Sequence, residues 1–367
     1  MLPVKGYLEL YEKGFGFLRC IENNFRPMHS DIYVPANLIR QLRLREGHFI
    51  EGMADVASEG NGQKKKPQLK EIIKVNGLSP EAIVRTKELK FSTSISPDER
   101  LYMSLGPDDL TGNVLDIIVP IGKGQRGLII SPPKAGKTTI LQHIAKAVEV
   151  NHPEIEVLVL LVDERPEEVT DFKRSFDRVQ VLSSSADEDT RSHLRITRLT
   201  LNAAMRRAES GGDVVVLIDS LTRMGRAFNK ETDSFNRTLS GGLGANALDW
   251  PRRFFGAARN IENGGSLTII ASILVDTGSR MDEVIFQEFK GTGNLDLVLS
   301  KICAEQRLFP AININESGTR KEELLLTPDE LKQINKLRRM LSGMRETEAL
   351  AYLLEAIKDK KITLLNG

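Results

Sequence analysis

The stretch Gly127-Leu128-Ile129-Ile130-Ser131-Pro132-Pro133-Lys134-Ala135-Gly136-Lys137-Thr138-Thr139 constrains this chain more than any other. Its front half is an apolar run of buried-strand type, its middle is a Pro/Gly turn, and its back half opens a helix-spaced apolar pattern through Ile140, Leu141, Ile144 and Ala145. Strand, loop, Gly-Lys-Thr and helix is the layout of a P-loop. Loop N–H groups and the helix N-terminus face a phosphate, Lys137 puts a cation on it, and the Thr138 hydroxyl can ligate Mg²⁺. One position departs from the pattern G-x-x-x-x-G-K-[ST]: Ser131 stands where the first Gly is expected.

The rest of the chain supplies the sheet such a loop needs. Ile155–Glu164, Val214–Ser220 and Ser266–Ile273 are nearly continuous apolar runs, as expected of strands buried on both faces of a parallel sheet. Ligands of such sheets sit at the strands' carboxyl ends, where Asp163, Glu164 and Asp219 fall. ATP hydrolysis needs one carboxylate for Mg²⁺ and commonly a second group for the attacking water. Two assignments are open on spacing alone: Asp163 and Glu164 serve both roles, or Asp219 holds the metal and Glu164 polarises the water. Arg165, Arg223, Arg226, Arg259, Arg280, Arg307 and Arg320 all follow the loop and could stabilise a transferring phosphoryl group.

Residues 1–76 read differently. Short alternating segments near Gly6–Tyr11, Gly14–Arg19, Asp31–Val34, Phe49–Val56 and Gln68–Val75 predict a small barrel of about five strands. In Gly14-Phe15-Gly16-Phe17-Leu18-Arg19, the two Phe side chains share one face of a strand, and the glycines beside them add no bulk. Such rings can stack bases, and Arg19 can reach a phosphate. Packing in the barrel core is the competing reading. Tyr33 and the run Lys64-Lys65-Lys66 favour nucleic acid. Residues 77–112, punctuated by Pro80, Pro97 and Pro107, read as a connector with at most a short ordered turn, and 113–367 as the ATPase domain with carboxyl-terminal helices. Two Gly-rich segments, Leu239–Asn246 and Lys290–Asn294, read as loops.

Net charge is +1 over 367 residues, so no global field draws in nucleic acid and any such binding must use local patches. Cys20 and Cys303 are the only cysteines. They make no four-cysteine metal site and suit a reducing, cytoplasmic setting. No apolar run is long enough to span a membrane, and the start has no signal-type apolar segment.

Five blocks together carry a resemblance: Gly14–Arg19, Pro132–Thr138, Asp163-Glu164-Arg165-Pro166-Glu167-Glu168-Val169-Thr170, Arg252-Arg253-Phe254-Phe255-Gly256-Ala257-Ala258-Arg259-Asn260 and Ser317-Gly318-Thr319-Arg320-Lys321-Glu322-Glu323-Leu324. From about Gly6 to Leu354 the chain resembles the Rho family of bacterial transcription termination factors. The resemblance implies a RecA-like α/β P-loop NTPase core behind an OB or cold-shock-like barrel. It implies an RNA-dependent ATPase and RNA translocase, a homohexameric ring that releases transcripts from the RNA polymerase elongation complex, with ATP and Mg²⁺ as cofactors. Single-stranded RNA would meet Gly14, Phe15, Gly16, Phe17, Leu18, Arg19, Asp31, Ile32, Tyr33, Lys64, Lys65 and Lys66 on the barrel. In the pore it would meet Thr238, Leu239, Ser240, Gly241 and Gly242 of the loop 229–244, and Arg280. ATP would meet Gly122, Lys123, Gly124, Gln125, Arg126 and Gly127, then Lys134, Ala135, Gly136, Lys137, Thr138 and Thr139, with Arg165 and with Phe309 on adenine. Glu164 would be the catalytic base, Asp219 and Thr138 the Mg²⁺ ligands, Lys137 the phosphate cation and Arg320 an arginine finger acting on the next subunit, with Arg307 in a second interface position. The family commonly has a small non-Gly residue where Ser131 stands. Two departures bear on RNA: no aromatic accompanies Lys64–Lys66, and Arg280 replaces a lysine common among relatives. A rotary ATP synthase subunit and an RNA-binding regulator without catalysis are the alternatives. The aromatic face opposes the first, and the intact Lys137, Thr138, Glu164, Asp219 and Arg320 oppose the second.

Overall fold

The computed structural model describes residues 1–55, 59–60, 63–64, 66–232, 242–244 and 246–360. The chain opens with β1 (Leu2–Leu10), β2 (Gly16–Arg19), β3 (Ile32–Val34), α1 (Ala36–Gln41) and β4 (Phe49–Ala54). A two-strand hairpin, β5 (Glu59–Gly60) and β6 (Gln63–Lys64), leads into β7 (Leu69–Val75). An antiparallel sheet in the order β3-β2-β1-β4-β7 curls until Tyr33 N–H donates to Pro67 O at 2.9 Å, joining β3 to the approach of β7. Leu8, Leu18, Val34, Ile50, Leu69 and Val75 fill the inside. Buried residues recur every third position in β7, at Leu69, Ile72 and Val75, where an ordinary strand would alternate. Register shifts in the β4–β7 pairing explain it: each bulge inserts one extra residue, so the inward side chain skips a place.

The segment read as a connector is more ordered than the sequence suggests. It carries α2 (Pro80–Arg85), capped by the Ser79 hydroxyl, and a 3-10 turn at Leu89–Phe91. Next come β8 (Ser94–Ile95), β9 (Arg100–Leu101), α3 (Leu110–Ile118) and β10 (Ile121–Gly122). β9 pairs with β10, and β8 joins the edge of the main sheet, so non-local pairings that no local pattern announces hold this stretch to the core.

The remainder alternates strand and helix: β11 (Arg126–Ser131), α4 (Lys137–Asn151), β12 (Glu156–Glu164), α5 (Pro166–Arg174), β13 (Gln180–Ser185), α6 (Thr190–Glu209), β14 (Asp213–Asp219), α7 (Leu221–Thr232), α8 (Asp249–Phe255), β15 (Arg259–Ile261), β16 (Ser266–Leu274), α9 (Arg280–Phe289), β17 (Leu295–Val298) and α10 (Lys301–Glu305). A last edge strand, β18 (Gly318–Thr319), precedes α11 (Pro328–Leu341) and α12 (Glu346–Lys358). The sheet runs β13-β12-β14-β16-β11-β17-β18, parallel except at β18, with β15 antiparallel to the start of β16. Apolar clusters cover both faces, as the continuous apolar runs predict. Parallel registry brings the carboxyl ends of β11, β12, β14 and β16 to one edge, with Ser131 beside Leu274 and Leu161 beside Asp219.

The barrel docks on this core through α6. Phe25, from the loop after β2, is fully buried among core residues including Leu182 and Leu194, and its ring meets Tyr7 edge-on at 5.3 Å. Arg45 donates to both carboxylate oxygens of Glu209, at 3.3 and 2.6 Å. A Cβ on Gly47 would lie 2.3 Å from the Asn202 backbone, so this turn touches α6 only because it is Gly.

Candidate functional site

At the carboxyl edge of the sheet the chain turns from β11 into α4. Gly136 caps α4 in the left-handed region, φ 91°, which Gly adopts at little cost. Ser131 is fully buried and its hydroxyl donates to Pro132 O at 2.8 Å, so its side chain leaves the loop's outer surface clear. Lys137, first residue of α4, sends its ammonium to Asp219 Oδ1 and lies 3.7 Å from Glu164 Oε1. Ser272 donates to the same Asp219 oxygen at 3.0 Å. Both carboxylates are buried, and one cation sits between them.

A bulge sets the neighbours Asp163 and Glu164 apart. The β12–β13 register shifts between Val162 and Glu164, and Asp163 takes a positive φ of 59°. Glu164 therefore turns inward to Lys137, whereas Asp163 stays half-buried, its carbonyl accepting from Arg223. Arg223 Nη2 also donates to Glu164 Oε2 at 3.2 Å. Burial, followed by the charge of Asp219, pushes the Glu164 carboxyl up to about 7 against the opposing pull of Lys137 and Arg223. An acid held there is suited to exchange a proton near neutral pH.

Phe309 lies beside the loop: its ring is 3.8 Å from where a Cβ on Gly136 would be, and 45% of it is exposed. Arg165, which follows Glu164 at the start of α5, is exposed on this edge. The structure thus brings together Lys134–Thr139, Glu164, Arg165, Asp219 and Phe309. Gly122–Gly127 stand apart, at the opposite, amino end of β11. There Lys123 pairs with Glu99 at 2.5 Å and Asp213 at 2.9 Å, and buried Gln125 donates to Asn294 Oδ1 at 2.7 Å. Arg320 lies at this same far end, its N–H donating to Asn294 O at 2.9 Å. Arg307 is exposed after α10.

The barrel presents a second site. Tyr11 and Phe15 stack with centroids 5.3 Å apart and planes 7° off parallel. Phe17 and Tyr33 complete a cluster of four rings, each within 5.8 Å of a neighbour. Tyr11, Phe15, Phe17 and Tyr33 keep part of their surface in solvent, while Leu18, on the other side of β2, is core. Lys66 Nζ sits 4.7 Å over Phe17. Arg19 is not an extended phosphate arm: buried behind the rings, it pairs with Glu9 and Asp31 and donates to the Tyr11 hydroxyl. Asp31 and Gly16 are buried too, while Ile32 is partly exposed. Sequence reading missed Tyr11 and Glu9. Glu9 lies in β1 and pairs in register with Phe17, and Tyr11 follows two residues on, just past the end of the strand. For Lys64 the described feature is its place in β6, and Lys65 lies outside the described residues.

Of the pore-loop positions, Thr238, Leu239, Ser240 and Gly241 lie outside the described residues. Gly242 is exposed, and Asn229 ties it back to α7, donating to Gly242 O at 3.0 Å while accepting from Gly244 N–H at 2.7 Å. Arg280 is exposed at the start of α9, whose cap is the Ser279 hydroxyl. The residues expected at Mg²⁺, Thr138 and Asp219, offer a hydroxyl and a carboxylate, hard oxygens of the kind Mg²⁺ takes beside phosphates. Among the described residues no His, Cys, Asp and Glu cluster forms a closed metal cage.

Residues 4–81 match the family described as Rho termination factor, RNA-binding domain, and residues 112–319 match the ATP synthase alpha/beta family, nucleotide-binding domain. The transcription termination factor Rho of Aquifex aeolicus is 49% identical over 358 residues, 97% of this chain and 81% of that protein. That of Cereibacter sphaeroides is 48% identical over 359 residues, 97% of this chain and 84% of that one. Among solved structures, a prototypical ATPase of the type III secretion system of pathogenic bacteria aligns with a TM-score of 0.61 at 21% identity, covering 73% of this chain and 79% of that one. That likeness is one of fold: a RecA-like P-loop core.

Proposed function

This chain belongs to the Rho family of transcription termination factors, and on that premise we propose that it is an RNA-dependent ATPase that moves along RNA and releases transcripts. The observation that carries the reading is the presence, in one chain, of an open four-ring face and a P-loop lysine held between two buried carboxylates. The ring face is what distinguishes this reading from a rotary ATPase, whose fold the core shares.

In this reading residues 1–76 load single-stranded RNA, 77–112 connect, and 113–367 hydrolyse ATP. Stacked bases rest on Tyr11, Phe15, Phe17 and Tyr33, with Lys66 supplying charge and Arg19 and Asp31 bracing the rings from behind. Lys137 and the loop N–H groups hold the β- and γ-phosphates, Phe309 packs on adenine and Arg165 faces the phosphates. Glu164 takes the proton of the attacking water. Thr138 and Asp219 are the residues that would hold Mg²⁺, which neutralises charge on the phosphates when bound. Arg320, at the far end of β11 from its own loop, acts on the nucleotide of a neighbouring chain, and Gly122–Gly127 belong to the same cross-subunit side. This assigns the chain to a ring, proposed here as a homohexamer, with the loop 229–244 and Arg280 lining its pore. RNA polymerase is the proposed target, in the cytoplasm.

The test is an ATPase assay against a panel of single-stranded RNAs, single-stranded DNAs and duplex DNA, followed by transcript release from stalled polymerase. Strong stimulation confined to single-stranded RNA is expected. Equal stimulation by duplex DNA, or none by RNA, overturns the reading.

A further inference from the structure

A buried ion network runs from the back of the ring face into the ATPase core. Arg19 donates from Nε to Glu9 Oε2 at 2.5 Å, from Nη2 to the Tyr11 hydroxyl at 2.8 Å, and from Nη1 to Asp31. Its guanidinium lies 5.0 Å from the Phe17 centroid and 6.0 Å from that of Tyr11. Glu9 then spends its second oxygen outside the barrel: Arg195 of α6 donates from Nε to Oε1 at 2.6 Å and from Nη2 to Oε2 at 2.9 Å. Arg195 also donates to the carbonyl of Phe25, the residue the barrel buries in the core. Two guanidiniums and two carboxylates thus alternate, and Glu9 is the member that both domains share.

The helix that carries Arg195 also reaches β13, the neighbour of the strand that ends in Glu164. Two residues before Arg195, His193 shares a 2.7 Å hydrogen bond with the Ser184 hydroxyl of β13. In parallel, the barrel's Asn24 accepts from Ser183 N–H at 3.1 Å, and Arg26 donates to Glu188 at 2.8 Å. Glu188 accepts from Ser185 N–H at 3.0 Å, and Ala186 N–H donates to Glu164 O at 3.0 Å. Ser185 is the residue of β13 that pairs with Glu164 across the bulge. The backbone that aims Glu164 is therefore bonded to the strand that both barrel contacts hold.

We propose that Glu9 and Arg195 are positioning residues that transmit RNA engagement at the ring face to Glu164. This deepens the functional reading above and rests on it. A base stacking on Tyr11 and Phe15 shifts the Tyr11 ring, whose hydroxyl accepts from Arg19. Arg19 and Arg195 share one carboxylate, so any shift in the first is felt by the second. Buried charges with fixed partners cannot drift independently, because a guanidinium or carboxylate left unpaired in this interior is costly. No contact to RNA or to nucleotide is required of Glu9 or Arg195.

The experiment uses the full chain and the variants Glu9→Gln, Arg195→Ala and Arg195→Lys. RNA affinity is read by fluorescence anisotropy with a pyrimidine oligonucleotide, and ATPase rate with and without saturating RNA. Glu9→Gln and Arg195→Ala are expected to keep RNA affinity and the RNA-free rate within about 2-fold, while RNA stimulation falls roughly 10-fold, within the usual range of coupling between two sites. Arg195→Lys restores part of it, because an ammonium can still reach Glu9. The double variant Glu9→Gln/Arg195→Ala is expected to be no worse than either single change, as members of one link are not additive. Unchanged stimulation in the single variants overturns the proposal, and so does a joint loss of affinity, RNA-free rate and melting temperature, which marks a merely structural contact. A parent chain that RNA does not stimulate overturns the functional reading itself, which separates the two failures.

Discussion

At the residue scale the fuel site is an arrangement of four charges, with Lys137 shared by Glu164 and Asp219 and Arg223 paired to Glu164. Two buried carboxylates repel, and the ammonium between them offsets that repulsion. Glu164, raised to about 7, remains the one fitted to handle a proton. Glu164→Gln keeps the shape and removes the proposed base. It is expected to lower single-turnover hydrolysis by roughly 10²–10⁴-fold, the usual contribution of general base catalysis, while nucleotide affinity by fluorescence titration holds. Lost affinity would give Glu164 a phosphate-holding or metal-holding role instead. On the barrel, Phe15 stacks on Tyr11 with its outer face toward solvent. Phe15→Ala is expected to weaken single-stranded RNA binding by about 1–3 kcal/mol, the scale of one stacked base, with the barrel still folded by circular dichroism. An unfolded barrel with unchanged affinity per folded molecule would make the ring a core residue.

At the element scale, one pair ties α3 to α4, the helix that follows the P-loop. Asp109 caps α3, accepting from Gly112 N–H at 3.1 Å, and also lies 3.2 Å from His143 Nε2 on α4. Burial alone would pull the imidazolium down, but the hydrogen bond and charge of Asp109 outweigh it and hold His143 above its ordinary 6.5. The folded state therefore binds this proton more tightly than the unfolded chain. The stabilisation is fully present below pH 6.5 and fades as pH rises through the raised value. Chemical denaturation of parent and His143→Gln side by side should show the stability difference between them shrinking as pH rises across that window. A difference that stays constant with pH would mean that the pair does not titrate as the geometry implies.

At the scale of the whole molecule the two ends of the sheet do different work. The carboxyl edge holds Lys137, Glu164 and Asp219, and the amino edge holds Arg126, Asn294 and Arg320. With Arg320 as the proposed finger, loop and finger lie at opposite ends of one chain, and a site is completed only with a neighbour, as the proposed ring requires. Arg320→Ala chains titrated into parent chains should depress ATPase activity more steeply than simple dilution. A linear decline would place the role of Arg320 within its own chain. The barrel adds a third region, and its contact with α6 through Glu9, Arg195, Arg45 and Glu209 makes the RNA face and the core one packed body.

Much of this was legible in order along the chain. The P-loop, the strands ending in Asp163, Glu164 and Asp219, and the paired Phe15 and Phe17 are local patterns, since each follows from the period of a strand or the chemistry of a turn. What stayed hidden depends on partners far away in sequence. Sequence spacing left Asp163 and Asp219 both open as the carboxylate that works beside Glu164, and pairing across the bulge between Val162 and Glu164 leaves Asp163 half-buried while Asp219 meets Lys137. Arg19 read as a free arm, yet Glu9 and Asp31 close on it once β1, β2 and the approach to β3 meet. Gly122–Gly127 lie close to the loop in sequence but a full strand away in space, because β11 carries the chain from one edge of the sheet to the other. The sequence by itself determined that this protein binds its phosphate at a strand-to-helix turn and offers rings on a small barrel, because both are written in contiguous residues. Only the tertiary structure decided which carboxylate faces Lys137, what stands behind the rings and which end of the sheet holds Arg320, because those follow from pairings between segments distant along the chain.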